Sequence, residues 1–479
     1  MRLLALWILP LLGAGLTLAL PTPRIGRVRT GTLVAVATVH LMLVASIWIA
    51  PAPPTLGGWL ASDALGLIVL TIVSLLFFLT ALYTVGYLQR ERPRGGRVFV
   101  SAMLGFLAST TVVTLSQHLA LLWVGMEATT LTVAPLIFHR HDRRSLEAVW
   151  KYLLISSVGI ALALLGTFFL AAAQGDAPGR ALILPDLIAH AHALHRGWLR
   201  GAFLFLMVGF GTKMGLAPMH TWKPDTYGEA PALVSGLLAG ALTSCAFLGI
   251  ARITEVMMAA GLAPFVQPIL IGFGLLSLLV AATFVIGQRD LKRLLAYSSV
   301  EHMGLLVLGL GFGGIGAYGS VLHVLNNGLS KGWLFLVAGN IVLATGRPAS
   351  ADNRGLLHTL PVSGTLLVLG LFAVTGSPPF GLFLSEFTIL RAAIIAGHPW
   401  IAAVMLLLLS VIFIGMAKLI LEMALGSPES GTERQRESPW LLIGPVVLML
   451  IVGMLGVYIP SALNSALARA AVSLGGVAP

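Results

Sequence analysis

Two stretches decide the fold: GTKMGLAPMHTW (Gly211–Trp222) and TGSPPFGLFLSEF (Thr375–Phe387). Each sets one charge, Lys213 or Glu386, in an apolar run beside proline: Pro218 follows the lysine, and Pro378 and Pro379 precede the glutamate. Proline breaks a helix by removing a donor and clashing with the preceding turn. A charge at membrane depth is costly unless it is paired or lines a wet cavity, so such a residue reads as functional. A broken helix at that depth needs buried or hydrated surroundings for the backbone groups it frees. Two such elements in corresponding places of the two halves of a chain mark an ion-transporting inverted repeat.

The rest of the chain supplies the membrane. Of 479 residues, 57% are hydrophobic and only 10% are charged, where soluble domains carry about 25%. The fold class is therefore an all-α polytopic membrane protein. The bilayer limits each span to about 20 apolar residues, which places fourteen of them at 1–20, 31–50, 64–88, 98–116, 118–138, 148–173, 201–221, 231–256, 265–287, 293–313, 316–344, 361–394, 399–425 and 438–460. The first reads as an uncleaved helix, since its apolar run exceeds the usual core of a signal peptide. Four units are expected: N-terminal helices (1–97), a first five-helix repeat (98–256), a second (265–425) and a C-terminal helix (438–479). An odd number of spans per block makes the second enter from the opposite side, hence inverted. The fourth span of each block is the Pro-interrupted one.

Basic residues set the orientation. The loops reached after the first span hold Arg24, Arg27 and Arg29, then Arg90, Arg92, Arg94 and Arg97, then Arg140, Arg143 and Arg144. Further on, the same side holds Lys223, Arg289, Lys292, Arg293, Arg347, Arg354, Arg434 and Arg436. The opposite loops carry chiefly Arg180, Arg196 and Arg200. The basic side is read as cytoplasmic, with both termini outside and the protein in a bacterial or archaeal cell (inner) membrane. The net charge of +11 follows from this bias and from attraction to anionic lipid, with no nucleic acid implied. Cys245 is the single cysteine, which excludes an internal disulfide and an iron–sulfur cluster held by this chain alone.

Ionisable residues continue inside the spans. Glu127 lies about ten residues into its span, and nothing in that span neutralises it; Lys213 is its natural partner. A carboxylate keeps a lysine charged while desolvation neutralises it, which makes a proton site that a moving partner can switch. His302, His323 and Lys331 follow. Histidine relays protons near neutrality, and His323 and Lys331, eight apart, share roughly one helix face. Ser244, Asn326 and Asn327 can hold water between them. The row Glu127, Lys213, His302, His323, Lys331, Glu386 reads as a hydrated proton path along the membrane plane. A static ion pair that locks helices is the plainer alternative for any single pair. Arg391 and Lys418 could snorkel or pair. Asp225 and Glu229 fit a solvated loop better than a guarded entrance. GLGFGG (Gly309–Gly314) follows a membrane helix rather than a strand, so no dinucleotide site is expected. His190, His192 and His195 lie on an exposed stretch and His139 and His141 among arginines, so no metal is expected.

Six segments carry a resemblance: HLALLWVGMEATTL (118–131), SLEAVWKYLLISSVGIALALLG (145–166), GTKMGLAPMHTWKPDTYGEAP (211–231), RDLKRLLAYSSVEHMG (289–304), LHVLNNGLSKGWLFLVAGN (322–340) and GSPPFGLFLSEFTIL (376–390). Over about residues 98–425 the chain resembles the antiporter-like membrane subunits of respiratory complex I, of multisubunit cation/proton antiporters and of energy-converting hydrogenases. It looks most like the hydrogenase-4 component F (formate hydrogenlyase) branch. The resemblance implies fourteen helices, two inverted repeats and a hydrated axis of ionisable residues. It matches Glu127 to the family glutamate, Lys213 to the lysine of the first broken helix, His323 and Lys331 to the later His-rich helix, and Glu386 to the end of the path. The chain departs at Ser244, where many members have lysine, and at Asn327, where many have a second histidine.

The function expected is a proton-translocating membrane subunit of an NADH-quinone-oxidoreductase-like or group 4 NiFe-hydrogenase-like complex. Such a subunit is itself non-catalytic and holds no cofactor. Its partners would be other membrane subunits and, through them, a peripheral redox module; its cargo would be protons, or Na+. A cation/proton antiporter or ion-uptake subunit without a redox partner is the alternative, and a structural anchor a third reading.

Overall fold

The structure, a computed structural model, describes residues 1–19, 26–90, 96–175, 182–428 and 433–477. Arg24, Arg92, Arg94, Arg180 and the side chain of Arg27, used above to orient the chain, lie outside the described residues, as does Pro479. Among the described residues the regular elements are helices, beginning with α1 (Arg2–Ala19), α2 (Gly26–Ile49), α3 (Ala64–Arg90), α4 (Gly96–Leu115), α5 (Leu119–Ile137) and α6 (Arg143–Ala173). After the short α7 (Leu184–Ala189) come α8 (Arg196–Met214), α9 (Trp222–Glu229), α10 (Ala232–Leu237), α11 (Thr243–Ala259), α12 (Ala263–Val285), α13 (Leu291–Phe312) and α14 (Ile315–Thr345). The remainder is α15 (Leu356–Thr359), α16 (Pro361–Val374), α17 (Gly381–Ile395), α18 (Pro399–Leu425), α19 (Pro439–Val457) and α20 (Ser461–Ser473). A π-turn at Leu238–Leu242 joins α10 to α11.

Among the described residues, twelve helical segments are long and apolar enough to cross a bilayer. The two interrupted elements, α8 with α9 and α16 with α17, complete the expected fourteen. Local chemistry explains the boundaries. Asp142 caps α6 by accepting from Ser145 N (2.7 Å), while Ser145 Oγ accepts from Asp142 N, a reciprocal capping box. Asp290 caps α13 through Arg293 N (2.9 Å). The GLGFGG run ends α13 and starts α14: Gly313 and Gly314 take positive φ values of 64° and 51°, which only glycine adopts freely. The run is a helix–helix turn and a packing surface, as its context implied.

Burial is graded from centre to rim. Every residue of α14 from Gly316 to Ile341 is buried, and so is α10–α11 from Ala232 to Met257. On the rim, α6, α12 and α18 turn outward such residues as Leu154, Phe168, Leu279, Leu407 and Ile414, an apolar surface that suits lipid. Small residues bring neighbouring helices close, as expected where no water drives association. A Cβ on Gly159 would lie 2.6 Å from Thr212 Cβ, and one on Gly209 would lie 2.6 Å from Ala163 Cβ. This seam locks α6 to α8 and sets Tyr152 beside Lys213.

Candidate functional site

Gly215, in the left-handed region (φ 77°), stops α8 one residue after Met214. Its N–H and that of Leu216 return to Gly211 O at 2.8 and 2.9 Å. Trp222 Nε1 donates to Thr212 O (2.9 Å), and Ala217 N donates to Ser277 Oγ (3.0 Å). Side chains thus satisfy backbone groups that the break frees, which is what a break inside a bilayer requires. Pro218 sits in the resulting loop. In the second break, Pro378 and Pro379 lie between α16 and α17. Ser377 N returns to Phe372 O (2.9 Å), and Asn326 Nδ2 donates to Gly381 O (3.1 Å). Gly376 (φ 63°) makes room for the Glu386 carboxylate, with which any Cβ at that position would collide.

Lys213 is fully buried. Its Nζ donates to Thr130 Oγ1 (2.7 Å) and to Tyr152 OH (2.9 Å), and it lies 4.7 Å from the Tyr152 ring centroid. Thr130 Oγ1 in turn donates to Glu127 Oε2 (3.1 Å). The expected partners Glu127 and Lys213 are therefore joined through a hydroxyl rather than in direct contact. Glu127 and Thr130 are three apart on α5, hence on one face.

The same construction occurs on α13 and α14, and it includes a residue that the sequence reading passed over. Lys331 Nζ donates to Ser298 Oγ (2.7 Å), and Ser298 Oγ donates to Glu301 Oε2 (3.2 Å). Ser298 and Glu301 are again three apart. The signal lies in AYSSVEHMG (296–304): a glutamate within a membrane span, three residues after a serine.

His302, His323 and Glu386 converge. His302 Nδ1 lies 3.1 Å from His323 Nε2 and 4.0 Å from Glu386 Oε1. Ser385 Oγ donates its one proton to Leu382 O (2.9 Å), so at 2.9 Å it accepts from His323 Nδ1. By that network His323 offers the Nε2 lone pair to the Nδ1 proton of His302. The three ligand atoms lie within 4.8 Å of one another, close enough to share a proton or to hold a cation. His323 and Lys331 both reach α13, as their spacing suggested. Arg391 and Lys418 are exposed, away from this interior row. Asn327 is buried with neither amide atom partnered among the described residues, whereas the Ser244 hydroxyl donates to Gly240 O (2.6 Å) of the adjoining π-turn.

Lys223 corrects the loop reading. Its sequence setting places it with the basic surface, yet it is fully buried in α9, because the half-helix after the break folds back among the other helices. The solvated-loop reading of Asp225 also needs correction: the carboxylate contacts Lys151 Nζ (2.7 Å) and Arg293. His190, His192 and His195 are exposed as read, and His195 Nδ1 accepts from Trp198 N (3.3 Å) to cap α8. A further buried cluster escaped the sequence. Arg252 Nη2 meets Asp63 Oδ1 (2.8 Å) and Nη1 reaches Gln117 Oε1 (3.4 Å), while Ser473 donates to Glu255 (2.7 Å). Burial alone would raise the Asp63 pKa, but the Arg252 charge and hydrogen bonds from Arg252, Gly66 and Gln117 outweigh it and hold it below the ordinary value.

The chain is similar to known proteins over most of its length. Residues 116–413 match the family described as NADH:quinone oxidoreductase/Mrp antiporter, TM. A hydrogenase-4 component F homolog of Methylacidiphilum infernorum is 33% identical over 418 residues, covering 85% of this chain and 87% of its own. NADH-quinone oxidoreductase subunit N of Desulforudis audaxviator is 33% identical over 397 residues, covering 81% and 77%. In the structure of the membrane-bound sulfane sulfur reductase, an archaeal respiratory membrane complex, one chain superposes with a TM-score of 0.89 at 22% identity, over 99% of this chain and 98% of that one. The resemblance read from the six segments is borne out.

Proposed function

The chain belongs to the NADH:quinone oxidoreductase/Mrp antiporter transmembrane family, and on that premise we propose that it is the proton-translocating membrane subunit of an oxidoreductase complex of NADH:quinone oxidoreductase or group 4 NiFe-hydrogenase type. The observation that carries the proposal is the relay Glu127–Thr130–Lys213 at the first helix break, in which Thr130 and Lys213 are fully buried. A lysine held by two neutral hydroxyls, with its carboxylate one hydroxyl away, can change partners, which a locked pair cannot do. We take blocks 98–256 and 265–425 as inverted repeats, each carrying one break and one lysine–hydroxyl–glutamate relay. The path then runs through Glu127, Lys213, His302, His323, Lys331 and Glu386. Redox chemistry belongs to a peripheral module reached through neighbouring membrane subunits.

Glu127 supports the need for such neighbours. It is half-buried, and on its side of α5 Val124 and Leu131 are exposed. A carboxylate facing hydrocarbon costs several kcal/mol; a subunit packed on this face removes that cost. The basic loops are assigned to the cytoplasm of a bacterial or archaeal cell membrane, with both termini outside. The Mrp half of the family description supports a second reading, cation/proton exchange without a redox partner, in which the His302–His323–Glu386 cluster holds the exchanged ion. The proteins that copurify with the chain separate the two.

The central test is Lys213→Ala in the assembled complex, measured as protons taken up per turnover in membrane vesicles. Uptake is expected to vanish while the subunits still copurify. Uptake at the wild-type ratio would remove Lys213 from the path.

A further inference from the structure

Lys223 is a buried cation with no ionic or hydrogen-bonding partner among the described residues. Its Nζ is shielded from solvent and makes no hydrogen bond. An isolated buried ammonium is too costly to persist, so the group must release its proton or draw in water. A structural lysine would have found a carbonyl or carboxylate. Lys292, in the neighbouring α13, does so by donating to Ala230 O (2.8 Å).

Its position gives the missing partner a meaning. The Lys223 stem lies on Gly215, the residue that ends α8 two positions after Lys213; a Cβ built on Gly215 would be 3.0 Å from Lys223 Nζ. On the other side, Lys223 Nζ sits 5.9 Å from the Tyr227 ring centroid, and Tyr227 packs edge-on against Phe335, one helical turn beyond Lys331. Lys223 also lies within electrostatic reach of Lys331 and of His302. It therefore stands between the first relay and the second. Two more groups of α9, the Tyr227 hydroxyl and Thr226 Oγ1, are buried without a protein partner. Buried polar groups of this kind are met by water, and both belong to the same short helix, α9, as Lys223. Ser244, where many members have lysine, carries no titratable group, and its hydroxyl donates to Gly240 O (2.6 Å) in the π-turn.

We propose that Lys223 is the proton-carrying link between the two halves: it accepts a proton on the Lys213 side of the break and releases it toward Lys331 and His302. The link rests on the proton-translocation reading above and adds to it a residue for the crossing from one relay to the next. Deprotonation breaks one N–H bond and leaves a neutral amine, while the proton forms an O–H bond on a water molecule that solvates the amine, giving hydronium; the reverse step restores the ammonium.

The test compares Lys223→Met, Lys223→Arg and Lys223→His in the assembled complex in membrane vesicles, with Lys213→Ala alongside. Protons translocated per turnover and subunit copurification are both measured. Met removes the proton carrier. Arg keeps the charge but does not release its proton, and His restores a titratable group. At least a tenfold loss in Met and in Arg, with a third or more of the wild-type ratio retained in His, is the expected result. A full ratio in Met or in Arg would overturn the assignment, and so would His failing as completely as Arg. If Met does not assemble, the contrast between Arg and His still decides. If Lys213→Ala is silent while all Lys223 variants pump, the link alone is wrong. If Lys213→Ala pumps as well, the reading it rests on is wrong.

Discussion

Thr130→Val tests the relay at its narrowest point. The Thr130 hydroxyl accepts from Lys213 Nζ at 2.7 Å and donates to Glu127 Oε2 at 3.1 Å, and valine has nearly the same shape without that hydroxyl. The charges on either side lie on the order of 5 Å apart. At an effective dielectric of about 20 their attraction is about 3 kcal/mol. A hydrogen bond to a charged group is worth about 1.5–3 kcal/mol, and Lys213 keeps its second partner, the Tyr152 hydroxyl at 2.9 Å. Loss of the bridge should therefore slow transfer between Glu127 and Lys213 by roughly ten- to a hundredfold, at about 1.4 kcal/mol per decade, without unfolding the protein. Thr130→Ser keeps the hydroxyl and removes one methyl, at about 0.8 kcal/mol of packing. Protons per turnover in vesicles are expected to fall at least tenfold in Val and by less than threefold in Ser. Full pumping in Val would refute a relay through this hydroxyl. An equal fall in both variants would show that packing of the methyl, not hydrogen bonding, had been lost.

Glu301→Gln removes the proton-accepting carboxylate of the second relay at nearly constant shape while keeping an oxygen that can accept from Ser298, and pumping is expected to drop at least tenfold, as for Glu127→Gln; an unchanged proton ratio would reduce Glu301 to a structural role. Asp63→Asn leaves the fully buried Arg252 without its counter-charge, a loss on the order of 3–5 kcal/mol for a wholly buried pair and toward the lower end here, because Asp63 is partly exposed. The Asp63 carboxyl titrates below its ordinary value of about 3.9, so its stabilisation is complete above that pH and is lost as pH falls through the lower folded-state value. Thermal denaturation in detergent should show a constant gap between wild type and Asp63→Asn from pH 7 to about pH 4, narrowing below; a gap that narrows at neutral pH would implicate another group.

The helical architecture was legible because length and apolarity are imposed by the bilayer. Lys213, Lys331 and Glu386 were legible because a charge in an apolar run has no innocent reason to be there. Their immediate partners were not. Thr130 and Ser298 look like ordinary small residues of a membrane helix, and only the approach of α8 to α5 and of α14 to α13 makes them bridges. Lys223 was hidden by its setting: in the sequence WKPDTYGE, proline, aspartate and glycine describe a turn at the surface. Which way the segment after a break folds depends on tertiary contacts that no local pattern encodes. Arg252 and Asp63 are 189 positions apart, so their pairing is equally silent in sequence.

The two relays share a polarity that follows from hydroxyl chemistry. Each hydroxyl has one proton to give and lone pairs to receive. Thr130 receives from Lys213 and gives to Glu127; Ser298 receives from Lys331 and gives to Glu301. A proton leaving either lysine forms an O–H bond on the hydroxyl as the hydroxyl proton passes to the carboxylate, so transfer needs no side chain to move. Had lysine and glutamate met directly at about 3 Å, their attraction at the same effective dielectric would be between 5 and 6 kcal/mol, roughly twice that across the hydroxyl. The direct pair would be the harder to part, by about two decades. The interposed hydroxyl thus weakens the hold of each glutamate on its lysine while keeping the proton connected. The burial of α14 from Gly316 to Ile341 keeps lipid from His323, Asn326, Asn327, Ser330 and Lys331, so that these polar groups meet protein rather than hydrocarbon at membrane depth.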